Sequence, residues 1–346
     1  MSETLRIKRP DDWHLHLRDG EALKTLVPIS AGYCQRAVVM PNLVPPVTTV
    51  AAAKAYRDRV MAALPDGQSF NPLMTLYMTQ ETDAAEVRAA SACDEIIGIK
   101  LYPAGATTNS ASGVTDIRRL EPIFETMADY GLPLLVHGEV TTDDADIFDR
   151  EARFIDEILE PLVNRVANLK VVLEHISCRN AVEFVNSRDK LLGATITPQH
   201  LYMNRNAMLT GGIRPHNYCL PVLKREEDRQ ALIAAATSGD QRFFMGTDSA
   251  PHVREAKESD CGCAGTFNAP VALAVYAEVF EDAGALDKLE AFTSSNGPRF
   301  YGLPENADHL TLKKNSWRAP AKVGSGNQQF VPWLAGESLR WQVTGT

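Results

Sequence analysis

Short apolar runs rich in β-branched residues alternate with longer stretches whose apolar positions recur every three or four residues, and the alternation persists through most of the chain. A two-residue period reads as strand and a helical period as amphipathic helix. Eight runs qualify as strands, at 13–17, 36–40, 73–78, 96–101, 133–137, 170–175, 192–197 and 243–248. Helices are predicted in most intervals, for example at 50–64, 83–92, 117–130, 147–162 and 225–238, the Ala-rich stretch after Val50 being the clearest. Strands regularly separated by helices imply a parallel sheet, and eight of them imply a closed (β/α)8 TIM barrel. A doubly wound open sheet would need the same elements, but no Gly-x-Gly-x-x-Gly or phosphate loop follows an early strand. Past the eighth run, helical stretches near 270–280 and 286–294 lead to a Trp-bearing tail, about 310–346, expected to pack on the barrel exterior, so that 1–346 is a single barrel domain.

Composition narrows the function class. With 346 residues and 45% apolar content the chain can bury a substantial core. No apolar run reaches membrane-spanning length and residues 1–9 are polar rather than a signal peptide, so a cytoplasmic protein with no membrane partner is expected. The six cysteines are scattered apart from one Cys-Gly-Cys and read as reduced thiols. A net charge of −9, with no dense Lys/Arg stripe, argues against a general affinity for nucleic acid but leaves room for a small anion held by local positive charge.

In a barrel of this kind the chemistry sits where strands end at the C-terminal rim. There the sequence places His14 and His16, one residue apart and followed by Arg18, then Lys100, His137, His175 and Asp248. Alternation along the first strand puts His14 and His16 on one face and Trp13, Leu15 and Leu17 on the other. Each residue alone has an ordinary reading: a hydrogen-bonded core histidine, an N-cap for Asp248, an ion pair of Lys100 with Glu139 or Glu174, a salt bridge of Arg18 with Asp19 or Glu21. Together, four of the eight histidines gather at strand ends. Imidazole and carboxylate suit zinc or a similar divalent ion, and five such ligands exceed what one tetrahedral catalytic zinc takes while keeping a position open, so two ions fit better. An ammonium at Lys100 would be repelled by them; a neutral lysine can instead combine with carbon dioxide to give a carbamate able to bridge both. The small-residue segment 105–113, on the same rim, has the character of a mobile loop able to close over a ligand, with Thr107 and Thr108 as donors.

These motifs, from Trp13-His14-Leu15-His16-Leu17-Arg18-Asp19 through Met40-Pro41-Asn42, Ile99-Lys100-Leu101-Tyr102-Pro103, Val136-His137-Gly138-Glu139 and Leu173-Glu174-His175-Ile176-Ser177 to Gly246-Thr247-Asp248-Ser249-Ala250-Pro251-His252, resemble the amidohydrolase superfamily and, within it, the compact dihydroorotase family of many bacteria. The resemblance implies two Zn2+ per chain. His14, His16 and Asp248 would hold one and His137 and His175 the other, bridged by N6-carboxylated Lys100 and a hydroxide. It further implies reversible cyclisation of N-carbamoyl-L-aspartate to L-dihydroorotate in pyrimidine biosynthesis, with Asp248 as general base and acid. Substrate contacts would come from His16, Arg18, Asn42, Thr107, Thr108, His137, Leu220, His252 and Ala264, and a homodimer is expected. Hydantoinases and allantoinases, with similar sites, usually carry part of a small β-sandwich ahead of the His-x-His strand, for which residues 1–12 leave no room.

Overall fold

The structure, a computed structural model, describes residues 3–345. After β1 (Thr4–Lys8) come β2 (Asp11–Leu15), β3 (Arg36–Val39), β4 (Asn71–Tyr77), β5 (Ile96–Leu101), β6 (Leu134–Val136), β7 (Val171–Leu173), β8 (Leu192–Ile196) and β9 (Phe243–Met245). From β2 to β9 each strand pairs in parallel with the next in sequence order. The two ends of this sheet meet: Leu15 and Ser249 form a parallel bridge, the His16 amide donates to Ser249 O at 3.1 Å, and the Asp248 amide donates to His14 O at 2.9 Å. Eight strands therefore close into the expected barrel, so that this sheet keeps no open edge.

Two apolar layers follow from the strand alternation. Val38, Met40, Leu73, Leu135, Val172 and Phe244 fill the barrel with Trp13 and Phe300, while Ala37, Val39, Met74, Leu134, Val136 and Leu173 pack outward under the helices. Thr49 and Asp83 cap the helices Val50–Ala62 and Ala84–Ser91 by accepting from the amides of Ala52 and Glu86. One expectation fails on the first strand, because Trp13 does not share a face with Leu15 and Leu17. In pairing with β3, three steps along β2 (Asp12 to Leu15) match two on the partner (Ala37 to Val39), a bulge that inserts one residue. Trp13 joins the interior cluster, Leu15 and Leu17 the outer one, and His14, next after Trp13, still reaches the rim site. A second bulge, at Ile97–Gly98 against β4, precedes Lys100; a Cβ on Gly98 would lie 2.8 Å from Pro133 O. The far end of the barrel is stoppered by Asn296–Tyr301, where Gly297 lies so close to Trp13 that a Cβ would come within 1.8 Å of Nε1.

Helix boundaries depart from the pattern where proline intervenes. The helix expected at 147–162 begins at Arg150 and runs to Arg165 through a π turn at Ile155–Leu159, just ahead of Pro161, and the one expected at 286–294 is a 3-10 turn, Leu286–Lys288, then a π turn, Ala291–Ser295, before Pro298. Proline offers no amide to the helical ladder, and the wider turn accommodates the missing bond. Outside the barrel, β1 pairs antiparallel with β10 (His309–Arg318), which pairs with β11 (Ser338–Gly345). The polar opening segment, to which the sequence pattern assigned no strand, thus carries one, because the tail supplies its partner. Arg340 and Trp341 of β11 reach Glu278 and Glu281 of the helix Ala272–Asp282.

Candidate metal centre and active site

Three donor atoms from opposite ends of the chain converge at the rim. His14 Nε2 and His16 Nε2 are 3.2 Å apart, and Asp248 Oδ1 lies 3.3 Å and 3.1 Å from them. Two ring nitrogens and a carboxylate oxygen so disposed cannot all be satisfied by protons. Ligands of a tetrahedral ion with bonds of about 2.0 Å sit roughly 3.3 Å apart, so this triangle fits an ion. The backbone is turned to make it. Asp248 and His175 hold φ of 45° and Arg18 of 58°, left-handed conformations that non-glycine residues seldom adopt and that concentrate at functional sites. At the seam, the wholly buried Asp12 carboxylate accepts from Tyr33 Oη at 2.5 Å, Thr247 Oγ1 at 2.6 Å, the Thr247 amide at 2.9 Å and the His14 amide at 3.2 Å. It thereby fixes the strand of His14 against the turn that carries Asp248.

The second set lies beside the first. His175 has its ring centroid 5.0 Å from that of His14 and 4.8 Å from that of His137. His137 Nε2 is engaged by Glu139 Oε2 at 2.7 Å, which leaves Nδ1 for an ion and fixes the ring. Of the two ion-pair partners open to Lys100, the structure selects Glu174, whose Oε2 contacts Nζ. Glu174 also joins His14 and His175 as a cluster of donor atoms within 4.8 Å of one another, a grouping that the sequence reading, which named Glu174 only as a partner for Lys100, did not include. His14 Nδ1 and Glu174 Oε1, 3.1 Å apart, lack hydrogen-bond geometry, and His175 Nδ1 has no partner. Buried polar atoms without partners, in a donor set of nitrogen and carboxylate oxygen, are what an ion-binding centre requires.

Burial also sets the protonation states. It lowers the pKa of His14 and His137, takes His175 well below the ordinary value and brings His16 down to about 4, so the imidazoles are neutral, the form that ligates. Lys100, wholly enclosed, is pushed well below the usual lysine range by the same cause. For Asp248 burial acts upward, but the electrostatic pull and hydrogen bonding of the His14 ring, with the hydrogen bond of His16, outweigh it and hold the carboxyl well below the usual range.

Around the donors lies a narrow cleft lined by His14, His16, Arg18, Asn42, Tyr102, Thr107, Thr108, His137, His175, Leu220, Asp248 and Ala264. Arg18 is free of the salt bridges that might have claimed it: Asp19 pairs with Arg59 at 2.8 Å and Glu21 with Lys24 at 2.9 Å. Its Nε donates to Pro251 O at 2.7 Å and Nη2 lies 3.1 Å from His252 Nε2, so His252 reaches the cleft through Arg18. The 105–113 segment is folded down: Asn42 donates to Thr108 O at 3.1 Å, Thr108 Oγ1 to Ala264 O at 3.1 Å, and Asn109 to Asn42 O at 3.0 Å. Tyr102, which the sequence reading passed over, is buried with an unpartnered hydroxyl and stacks on Tyr77 with centroids 5.2 Å apart. Its place two residues beyond Lys100, on the same face of the strand, is the signal that would have found it.

Comparison with known proteins agrees with this geometry. The amidohydrolase family profile matches residues 11–317. A dihydroorotase of Cupriavidus pinatubonensis is 60% identical over 343 residues, covering 99% of this chain and 100% of that protein. The crystal structure of dihydroorotase from Campylobacter jejuni superposes with a TM-score of 0.91 at 40% identity, covering 99% of this chain and 98% of that one. Dihydroorotase from Saccharomyces cerevisiae, solved in complex with 5-fluoroorotic acid, gives a TM-score of 0.91 at 33% identity, with coverage of 99% and 98%. The chain belongs to the amidohydrolase family and, within it, to the dihydroorotases.

Proposed function

We propose that this chain interconverts L-dihydroorotate and N-carbamoyl-L-aspartate at two zinc ions, one held by His14, His16 and Asp248, the other by His137 and His175, with a carboxylated Lys100 between them. The observation that carries the reading is the triangle of His14, His16 and Asp248 donors, 3.1–3.3 Å on a side, at the rim of a barrel that also aims an enclosed lysine at the same spot. When bound, such ions lower the pKa of a coordinated water from about 15.7 to roughly 7 and polarise a carbonyl.

The chain's own groups do the rest. Both imidazole contacts of Asp248 fall on Oδ1, so Oδ2 is the oxygen left to handle a proton. In ring opening Asp248 takes a proton from the attacking water. The water oxygen joins the amide carbonyl carbon, the ring C–N bond breaks, and Asp248 returns the proton to the leaving nitrogen, yielding a carbamoyl group and a carboxylic acid whose remaining proton passes to solvent, leaving the carboxylate. Ring closure is the reverse. The planar guanidinium of Arg18, with Asn42 and His252, suits the substrate carboxylate, and backbone groups of Leu220 and Ala264 suit the ring. The chain is read as one domain with its tail packed on the barrel, and as a cytoplasmic homodimer without membrane or nucleic-acid partners. The unpaired state of all six cysteines fits a reducing compartment, and no helix among the described residues is long and apolar enough to cross a membrane.

The decisive measurement is metal per chain together with turnover of dihydroorotate and of hydantoin in one preparation. About two ions per chain and turnover of dihydroorotate alone are expected; preference for hydantoin, or no turnover with metal in place, would refute the assignment. The folded-down 105–113 segment adds a second expectation. Thr107→Ala combined with Thr108→Ala should lower turnover about tenfold or more by removing the Thr108 hydroxyl bond to Ala264 O and the Thr107 hydroxyl at the cleft wall, with metal content intact. Unchanged turnover would remove the lid role.

A further inference from the structure

Two irregular backbone segments with no strand of their own, Tyr218–Leu220 and Cys263–Gly265, bring Leu220, Ala264 and Gly265 to the wall of the cleft. One side chain ties them together. Lys257, at the end of the short helix Arg254–Lys257 and only 3% exposed, donates from Nζ to Tyr218 O at 3.1 Å and to Cys263 O at 2.8 Å. The Gly265 amide adds a third link, to Tyr218 O at 3.0 Å. The next residues along from these two carbonyls include Leu220 and Ala264, which face the cleft, and Ala264 O receives Thr108 Oγ1 of the folded-down segment and lies 3.1 Å from His252 Nε2.

We propose that Lys257 is a positioning residue for ring recognition: its side chain sets the spacing of the Leu220 and Ala264 backbone groups and so determines affinity for the pyrimidine ring without touching the substrate. The inference rests on the dihydroorotase reading of the cleft. A lysine is suited to the task because one ammonium can serve two carbonyls at once, and charge-assisted bonds are roughly twice as strong as neutral ones. Among the described residues no carboxylate pairs with it. The titratable and charged groups around it are the thiols of Cys219, Cys263 and Cys261, the more distant Arg18, and the Tyr218 ring, whose centroid lies 5.8 Å from Nζ. Burial among them lowers its pKa to about 8. The clamp is therefore mostly charged at neutral pH and loses charge assistance as pH rises through that value.

The test is binding of orotate, a planar and unreactive analogue of the ring, to the metal-loaded protein between pH 6.5 and 9, for wild type, Lys257→Met and Lys257→Arg, with metal content measured in parallel. For wild type, affinity should fall across pH 8. Lys257→Met should weaken binding at pH 7 about tenfold, with metal content unchanged and the pH 8 decline gone. Lys257→Arg, charged throughout, should recover part of the affinity and also lack the decline. Equal affinity and the same pH profile in wild type and both variants would overturn the positioning role. Loss of metal in step with affinity would also overturn it, by showing a merely structural effect. Failure of wild type to bind orotate at all would bring down the underlying reading of the cleft, and this inference with it.

Discussion

Asp248→Asn is expected to lower turnover in both directions by about 10³-fold or more, the scale of lost general acid–base catalysis. Asparagine keeps the shape and a ligand oxygen but cannot accept or return a proton, so the protein should fold and still hold metal, less tightly. The two-oxygen division of labour is what makes the prediction sharp. Oδ1 is committed to His14 and His16, and Oδ2 is available to the reacting water. The seam contacts that aim the residue, its amide on His14 O and the Thr247 bonds to Asp12, do not involve the carboxylate and should survive. Steady-state rates with metal analysis decide the matter, and a variant retaining a tenth of wild-type turnover would show that the proton passes through another group.

Lys100→Met is expected to reduce bound metal to one ion per chain or fewer and turnover by about 10³-fold. The competing account is that Lys100 is simply the ion-pair partner of Glu174, and the structure does bring those two side chains into contact. The accounts diverge in what they ask of the metal. A structural pair broken at one end leaves a buried, uncompensated Glu174 charge, which should lower stability by about 3–5 kcal/mol while leaving the imidazoles able to load both ions. A bridging carbamate, once removed, takes the second ion with it. Two ions per chain in a destabilised Lys100→Met protein would therefore dispose of the carbamate. Carbon-13 labelling with bicarbonate gives an independent readout in wild type, where a carbamate carbon signal is expected.

The barrel was legible because each strand carries its own short period and each connection its own amphipathic pattern, both local properties of the chain. The convergence of His14, His16 and Asp248 was legible for a related reason: strand ends in a closed barrel share a rim, so chain position alone brings them near one another. What sequence could not supply was anything that depends on register. Simple alternation misplaced Trp13 because the bulge at Trp13–His14 is a property of the pairing with β3, not of β2 alone. Glu174 was seen only as one of two partners for Lys100, since nothing in Leu-Glu-His tells which way the strand turns into His175 at φ 45°. Tyr102 fell on the right face but carried no motif, and Lys257 lies in a segment without periodicity. The first strand, β1, was missed because its partner stands more than three hundred residues away at Lys313 and its neighbours.

Barrel closure has a consequence for how the protein matures. Asp12 and Thr247 are 235 positions apart, and the ligand triangle straddles the same divide. During translation the leading strand emerges with its histidines yet finds neither a neighbour on one side nor a third donor until the ribosome has made about seven-tenths of the polypeptide. On the proposed metal assignment, cation loading would therefore be a late event, coupled to the final step of ring assembly, and shortening the chain before Asp248 would remove one of the six proposed ligand side chains and lower uptake.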